Sequence, residues 1–417
     1  MNWTLTASCL LALGFGLTCA TAADAEVDPK LPNAAELFAD QPKGLSDHTI
    51  AGKLLYVGEV LGNPVGGARQ GMVYEGYAKL GVGLNLERSL GWTGASLYAN
   101  ILYPHGESLT QNYVRDLNVA SNIDAYDSAR LYKLWFQQNF AEGRYSFRIG
   151  QMAADKEFFT CDSASLFVNN AFGTPPVFSQ NITGPIYPVS APGVRLRWEP
   201  TPAFSLRTAA FSGDVGTQTA NQHQLSLRLK PESGVLLLVE AAYKTRQGSD
   251  TTGLPGTFKL GAYYDSKRFE DNLGGTAHHG NYGGYLVADQ QVYSEKTTDG
   301  SSRGLSVYSR IGFAPQDRNL VDFDTEAGLN YAGLFAARTK DIAGLGFAFT
   351  HVSNTGHLPL GQQLSAGHFE ALLETTYIAP VTDRFSAQPY LQYIFHPGAT
   401  VSRPNAIVLG LRVIFNY

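Results

Sequence analysis

The last eleven residues, Ile407–Tyr417, put Ile407, Leu409, Leu411, Val413, Phe415 and Tyr417 on one parity. Val408, Gly410, Arg412, Ile414 and Asn416 fall on the other. Successive side chains of a strand point to opposite faces, so one face is apolar and aromatic from end to end. Backbone polar groups in lipid must find partners within the protein, so strands cross a membrane only as closed barrels. A strand with an unbroken apolar face fits the outward surface of such a barrel. An edge strand of a soluble sandwich is the competing reading of the same alternation.

The alternation recurs upstream. Across Met72–Glu87, Met72, Tyr74, Gly76, Ala78, Leu80, Val82, Leu84 and Leu86 alternate with Val73, Glu75, Tyr77, Lys79, Gly81, Gly83, Asn85 and Glu87. That length exceeds the ~9–11 residues a tilted strand needs to cross lipid. Across Arg130–Phe140, Tyr132, Leu134, Phe136 and Phe140 oppose Lys133, Trp135, Gln137 and Asn139. Tyr145, Phe147 and Ile149 oppose Arg144, Ser146 and Arg148; Val194, Leu196 and Trp198 oppose Arg195, Arg197 and Glu199. Leu225, Leu227 and Leu229 oppose Gln224, Ser226 and Arg228. The polar face thus keeps ionised groups that a dry sandwich core would not accept unpaired and a water-filled lumen would. Further candidates lie near 48–61, 93–103, 203–213, 234–245, 256–267, 283–295, 303–314, 323–335, 342–353, 367–379 and 384–396. The total is seventeen, and a bacterial single-chain barrel has an even number. The surplus segment is placed in the Gly-rich stretch Thr245–Tyr285. The expectation is an all-β transmembrane antiparallel barrel of sixteen strands, with eighteen as the alternative.

Composition agrees with a barrel. Charged residues are 16% of the 417, aromatics 12%, and glycines number 44. The formal net charge of −5 argues against a nucleic-acid partner. Mean hydropathy is −0.12, and beyond the N-terminus no run approaches the ~20 apolar residues of a spanning helix. The N-terminus reads as an export signal over residues 1–22. Leu10–Leu17 is its apolar core, and Ala20-Thr21-Ala22 a small-x-small cleavage site before Ala23, although no Lys or Arg precedes the core. Cleavage there would remove Cys9 and Cys19 and leave Cys161 alone, so no internal disulfide is expected. Residues 23–47 read as a polar periplasmic segment with a short helix near Ala34–Phe38, and 48–417 as the barrel domain.

Connections alternate in length, as barrels do between periplasmic turns and extracellular loops. Ala141–Arg144, Glu199–Ala203 and Lys230–Gly234 read as short; Pro104–Ala129, Ala154–Ser190 and Ser353–Gly367 as long. The Ala154–Ser190 loop holds Phe158, Phe159, Phe167, Phe172, Phe178 and Tyr187. That aromatic content suits a loop folded inward against the wall, narrowing the lumen.

Short motifs in order carry a family likeness. They include Gly91-Trp92-Thr93-Gly94, Leu134-Trp135-Phe136-Gln137-Gln138, Arg148-Ile149-Gly150-Gln151 and Glu157-Phe158-Phe159. Leu166-Phe167-Val168-Asn169, Tyr187-Pro188-Val189-Ser190-Ala191-Pro192-Gly193, Ala314-Pro315-Gln316-Asp317-Arg318-Asn319 and His396-Pro397-Gly398 follow. With these the chain, from about Gly58 to Tyr417, resembles the carbohydrate-selective porin family of the OprB type. The resemblance implies a sixteen-stranded bacterial outer-membrane channel for passive diffusion of sugars, without a cofactor. The C-terminal strand also resembles the signal by which the barrel-assembly machinery recognises its substrates, with Tyr417 where Phe is usual.

No nucleophile elbow, P-loop, HExxH or CxxC is present, so no enzyme is expected. His278-His279 reads as Gly-rich loop sequence without a nearby Cys or ligand-spaced carboxylate, and no metal is expected. The pore-lining candidates are Glu75, Lys79, Lys133, Trp135, Arg148, Arg195 and Arg197. The constriction-loop candidates are Phe158, Phe159, Phe167 and Asn169. Charged groups would hold sugar hydroxyls and rings would meet their apolar faces; hydration of the lumen alone is the plainer role for each charge. A general or anion-preferring porin remains the alternative, and association between copies is left open.

Overall fold

The computed structural model describes residues 34–36, 45–213, 215–216, 219–227, 231–246, 253–272, 274–296, 302–353 and 369–417. The expected signal at 1–22 and most of the Ser353–Gly367 loop lie outside the described residues. Sixteen strands form one closed antiparallel barrel. They are β1 (Ile50–Val65), β2 (Gly71–Asn85), β3 (Ala95–Gly106), β4 (Arg130–Phe140), β5 (Tyr145–Met152), β6 (Ala191–Thr201), β7 (Phe204–Ser212) and β8 (Val235–Lys244). β9 (Gly256–Phe269), β10 (His278–Lys296), β11 (Ser302–Phe313), β12 (Val321–Ala332), β13 (Ile342–Val352), β14 (Phe369–Pro380), β15 (Phe385–Phe395) and β16 (Ala406–Asn416) complete it.

Each strand pairs with its sequence neighbours, and β16 pairs with β1 to close the ring. Closure leaves no sheet edge, which is what lipid requires of a β-structure. At the seam the Leu54 N–H donates to Tyr417 O and the Tyr417 N–H to Leu54 O, both at 2.8 Å. Arg412 Nε lies 2.9 Å from Glu59 Oε2, and both side chains are almost wholly buried in the lumen. The Arg384 guanidinium covers the Tyr417 ring at 4.5 Å.

The outward parity carries the expected apolar side chains. Leu80 is 52% exposed and faces the lipid, whereas its neighbour Lys79 is 5% exposed and faces the lumen. The sixteen residues of β1 and nineteen of β10 exceed the ~9–11 needed to cross, so both project beyond the bilayer.

Four readings of the sequence are corrected. The surplus strand is Gln224–Leu229, whose described residues, 224–227, form no strand; it is not a segment in Thr245–Tyr285, where β9 and the start of β10 both form. Leu225 and Leu227 are exposed and lie outside any strand, in the connection from β7 to β8. The Lys230–Gly234 turn is the end of that same long connection, on the extracellular side. Second, Met72–Glu87 does not stay extended to its end. The Asn85 side chain accepts from the Glu87 and Arg88 N–H groups and caps a short helix, α1 (Leu86–Leu90), which Gly91 ends at φ 72°. Third, Tyr132 is not on the lipid face. Asn100 pairs with Lys133 but Ile101 with Leu131, so Tyr132 is the extra residue of a bulge. A bulge reverses the parity beyond it, and both Tyr132 and Arg130 are buried inside, 2% and 1% exposed. Fourth, His278 is in β10, not in a loop, and its Nε2 meets Asp271 Oδ2 at 2.8 Å.

Candidate functional site: a lumen narrowed by two inner loops

The connection after β5 folds into the barrel. It leaves Met152, makes several short helical turns and returns at Ala191. Phe158, Phe159, Phe167 and Phe178 in it are each no more than 1% exposed. A loop buried in this way must satisfy its backbone polar groups. Inward carboxylates of the wall do so: Glu240 accepts from the Phe159 N–H at 3.1 Å, Asp289 from Ser163 at 2.9 Å and Asp324 from Val177 at 2.8 Å. Glu374 accepts from Val168 at 2.6 Å and Asn169 at 2.9 Å. Arg310 donates to Phe159 O at 2.7 Å and to Ala171 O at 3.1 Å. The loop therefore lies against the far wall, β8 to β15, and leaves open the lumen beside β2 to β5.

A second loop, between β3 and β4, also turns inward. Glu370 accepts from the Leu117 and Asn118 N–H groups, each at 2.7 Å, and Glu75 from Leu109 at 3.1 Å. The loops join through Asn122 N–H to Val168 O at 2.8 Å and Asn170 N–H to Val119 O at 2.9 Å. Arg130 fixes both at their roots, donating to Tyr126 O at 2.8 Å and Pro188 O at 3.1 Å, with its guanidinium 4.0 Å above the Tyr126 ring.

What remains open is a passage of about 490 Å³. Tyr77, Lys79, Lys133, Trp135 and Arg148 line it from the wall; Asn122, Ile123, Glu157, Phe167, Phe172 and Tyr187 line it from the loops. Its polar centre is Glu157. Arg148 Nη1 donates to Glu157 Oε1, and Arg195 Nε lies 3.2 Å from Oε2. Gln137 Oε1 receives Arg148 Nη2 at 2.6 Å and Arg195 Nη2 at 3.0 Å, so one amide holds both guanidinium groups in register. Arg148 also lies flat on Trp135, 3.9 Å from the ring centroid, with Tyr98 on Trp135 at 5.2 Å. Burial would raise the Glu157 carboxyl, but Arg148, then Arg195, Arg207 and Lys133, outweigh it and hold it below the usual glutamate range. A carboxylate acceptor beside guanidinium and ammonium donors can bind vicinal hydroxyls through several hydrogen bonds at once.

A profile of the carbohydrate-selective porins of the OprB family matches residues 69–417. The chain belongs to that family. It is 29% identical to Porin B of Pseudomonas aeruginosa, over 98% of this chain and 96% of that protein. It is 23% identical to the putative porin QuiX of Acinetobacter baylyi, over 82% and 83% of the two chains. The structure of Pseudomonas putida OprB at high pH superposes with a TM-score of 0.79 and 27% identity, covering 91% of this chain and all of that one. The protein is an outer-membrane channel for carbohydrates, not an enzyme.

In this porin the residues singled out from sequence separate by depth. Lys79, Lys133, Trp135, Arg148 and Phe167 line the passage. Arg195 stands behind Arg148, 2% exposed, and binds Ser146 Oγ at 2.9 Å. Arg197 lies toward the periplasmic rim, 3.6 Å from Glu199. Glu75 is covered by the second inner loop. Phe158 and Phe159 are packed away from the passage, and Phe159 packs at a tilt on Phe178 and Tyr285, with ring centroids 4.7 and 4.6 Å apart. Asn169 donates from its backbone to Glu374 and from Nδ2 to Asn118 O at 3.2 Å, so it ties the loops together. Sequence reasoning put Tyr77 on the inner face and Tyr187 in the inward loop without singling out either, and it missed Glu157 and the whole β3–β4 loop. Strand parity extends only as far as the strands do, and nothing in the Pro104–Ala129 composition distinguishes an inward loop from a solvated one.

Proposed function

We propose that sugars cross this porin one at a time through the Glu157 passage, selected by hydrogen bonding along Lys79, Lys133, Arg148 and Glu157. The observation that carries the reading is the Glu157 carboxylate held between Arg148 and Arg195 in the lining of the open cavity. Trp135 supports Arg148 from below, because its ring is 3% exposed and already covered by the guanidinium. Tyr187, half-buried in the lining, offers the apolar counterpart. Binding must stay weak, since flux requires the solute to leave as readily as it enters. Uptake runs down the concentration gradient without energy input.

Export by cleavage after Ala22, insertion through the barrel-assembly machinery and association between copies belong to the same reading. The test is planar-bilayer conductance of the purified protein with a sugar titration. Concentration-dependent block is expected, weaker in Arg148→Ala and Trp135→Ala with little rise in conductance. Replacing 158–178 by a Gly-Ser linker should raise conductance and abolish block together. Wild-type conductance indifferent to sugars would favour a general porin; N-terminal sequencing and native mass measurement test the processing and the assembly.

A further inference from the structure

The N-terminal segment reaches the same lumen from the opposite end. At the periplasmic rim, Leu45 O accepts from Asn85 Nδ2 at 3.1 Å. The Leu45 side chain lies over inward-facing Gly83, where a Cβ would meet its Cδ2 at 2.7 Å. Leu45 therefore already lies inside the mouth. Earlier in the chain, Ala34–Glu36 forms one 3-10 turn. Ala34 is 3% exposed and belongs to the same apolar cluster as the inner loop's Ala164, Leu166 and Phe167. The turn packs on the loop's own 3-10 turn, Ala164–Leu166. Ala35 lines the 490 Å³ passage together with Lys79, Trp135 and Arg148.

We propose that Ala34 and Ala35 are part of the selectivity constriction: the N-terminal turn closes one side of the exit from the Glu157 passage and sets the size of solute that leaves it. This rests on the reading of that passage as the sugar path. The chemistry of the turn suits the role. Two methyl side chains are the smallest that seat a backbone against an apolar loop while leaving a passage beside it. A larger or charged residue at 34 would not fit the buried position, which is 3% exposed in an apolar cluster, and burial would cost a charge its hydration. A larger residue at 35 would project into the passage. The turn packs on the Ala164–Leu166 turn of the inner loop, so side-chain size at 34 and 35 bears directly on how it sits.

The experiment uses the full chain with its export signal intact. Three variants are compared with wild type: Ala34→Glu, deletion of Ala34–Glu36, and Ala35→Trp. Heat-modifiability of each protein first establishes that the barrel is folded. Single-channel conductance and liposome swelling with a series from monosaccharide to trisaccharide then report aperture. Ala34→Glu and the deletion are expected to raise conductance at least twofold and to admit the next larger sugar, and Ala35→Trp to lower conductance by half or more. Equal conductance and an unchanged size limit in all three folded variants would overturn the proposal. Wild-type block by sugar, measured in parallel, tests the passage itself, so failure of the turn's role and failure of the sugar path are read separately.

Discussion

Replacing Glu157 by Gln removes one negative charge from the lining of the passage and leaves Arg148, Arg195, Arg207 and Lys133 around it. A monovalent ion passing at 4 Å would feel the change as about 1 kcal/mol in bulk water and about 4 kcal/mol at an effective dielectric of 20. A water-filled passage belongs near the lower figure. About 1 kcal/mol makes the passage roughly fivefold better for an anion and fivefold worse for a cation, and a ~10 Å screening length at 0.1 M salt does not erase it. The barrel should survive, because Arg195 keeps Ser146 and Gln137, and Arg148 keeps Gln137 and Trp135. The assay is the reversal potential of bilayer-inserted protein under a KCl gradient. A change in the anion-to-cation permeability ratio below twofold, or a shift toward cations, would refute the placement of Glu157. The pH dependence has a defined sign. A carboxyl depressed in the folded state contributes stability above the unfolded value of ~4.3 and loses it as pH falls through the lower folded value. The difference between wild type and the Gln variant should therefore persist from pH 7 down to ~4.3 and close only below it.

Deleting Tyr417 removes both backbone bonds to Leu54, and Phe415→Asp puts a charge on the lipid face of β16. Both should leave unfolded protein in the periplasm, and normal heat-modifiable protein in the outer membrane would refute this. Leu80→Arg should cost ~2–4 kcal/mol in urea unfolding from lipid vesicles if it sits near the midplane, whereas Lys79→Arg, one residue away and inward, should cost little; equal costs would place the faces wrongly. Gly81 is unsuitable as the inward control, because a Cβ there lies 2.5 Å from Tyr98 Oη. Glu59→Gln leaves Arg412 buried without its carboxylate, which costs ~3–5 kcal/mol in comparable pairs. The double variant Glu59→Gln, Arg412→Met should recover part of that loss in the same unfolding assay.

The segments that alternate cleanly could be read in advance because lipid outside and water inside impose opposite demands on neighbouring residues. Met72–Asn85 and Tyr145–Ile149 carry that demand along their length, with Val73 and Tyr77 the apolar residues on the inner face. Gln224–Leu229 carries the same alternation, and its described residues, 224–227, form no strand. A short alternating run is compatible with a strand, but pairing partners at the right register decide whether one forms, and β7 and β8 already pair with each other from Phe204 with Tyr243 to Ser212 with Val235. Tyr132 shows the complementary failure: one bulged residue moves it and Arg130 to the lumen, and period two cannot register an insertion.

The sequence by itself determined the class of solvent on each side of the wall. Leu80 beside Lys79 and Ile149 beside Arg148 state which face meets lipid, because the side-chain period of a strand is fixed by the backbone. Tertiary structure alone decided what lies opposite what across the lumen. Glu157 meets Arg148 and Arg195, the two inner loops hang from Glu240, Asp289, Asp324, Glu370 and Glu374, and Ala35 reaches the passage from the other end of the barrel. The loop contacts to Glu240, Asp289, Asp324, Glu370 and Glu374 join residues distant in sequence, and they arise only when ring closure and loop insertion bring opposite walls into hydrogen-bonding range; Glu157 follows Arg148 by nine residues and meets it because the chain folds back against its own wall on leaving β5.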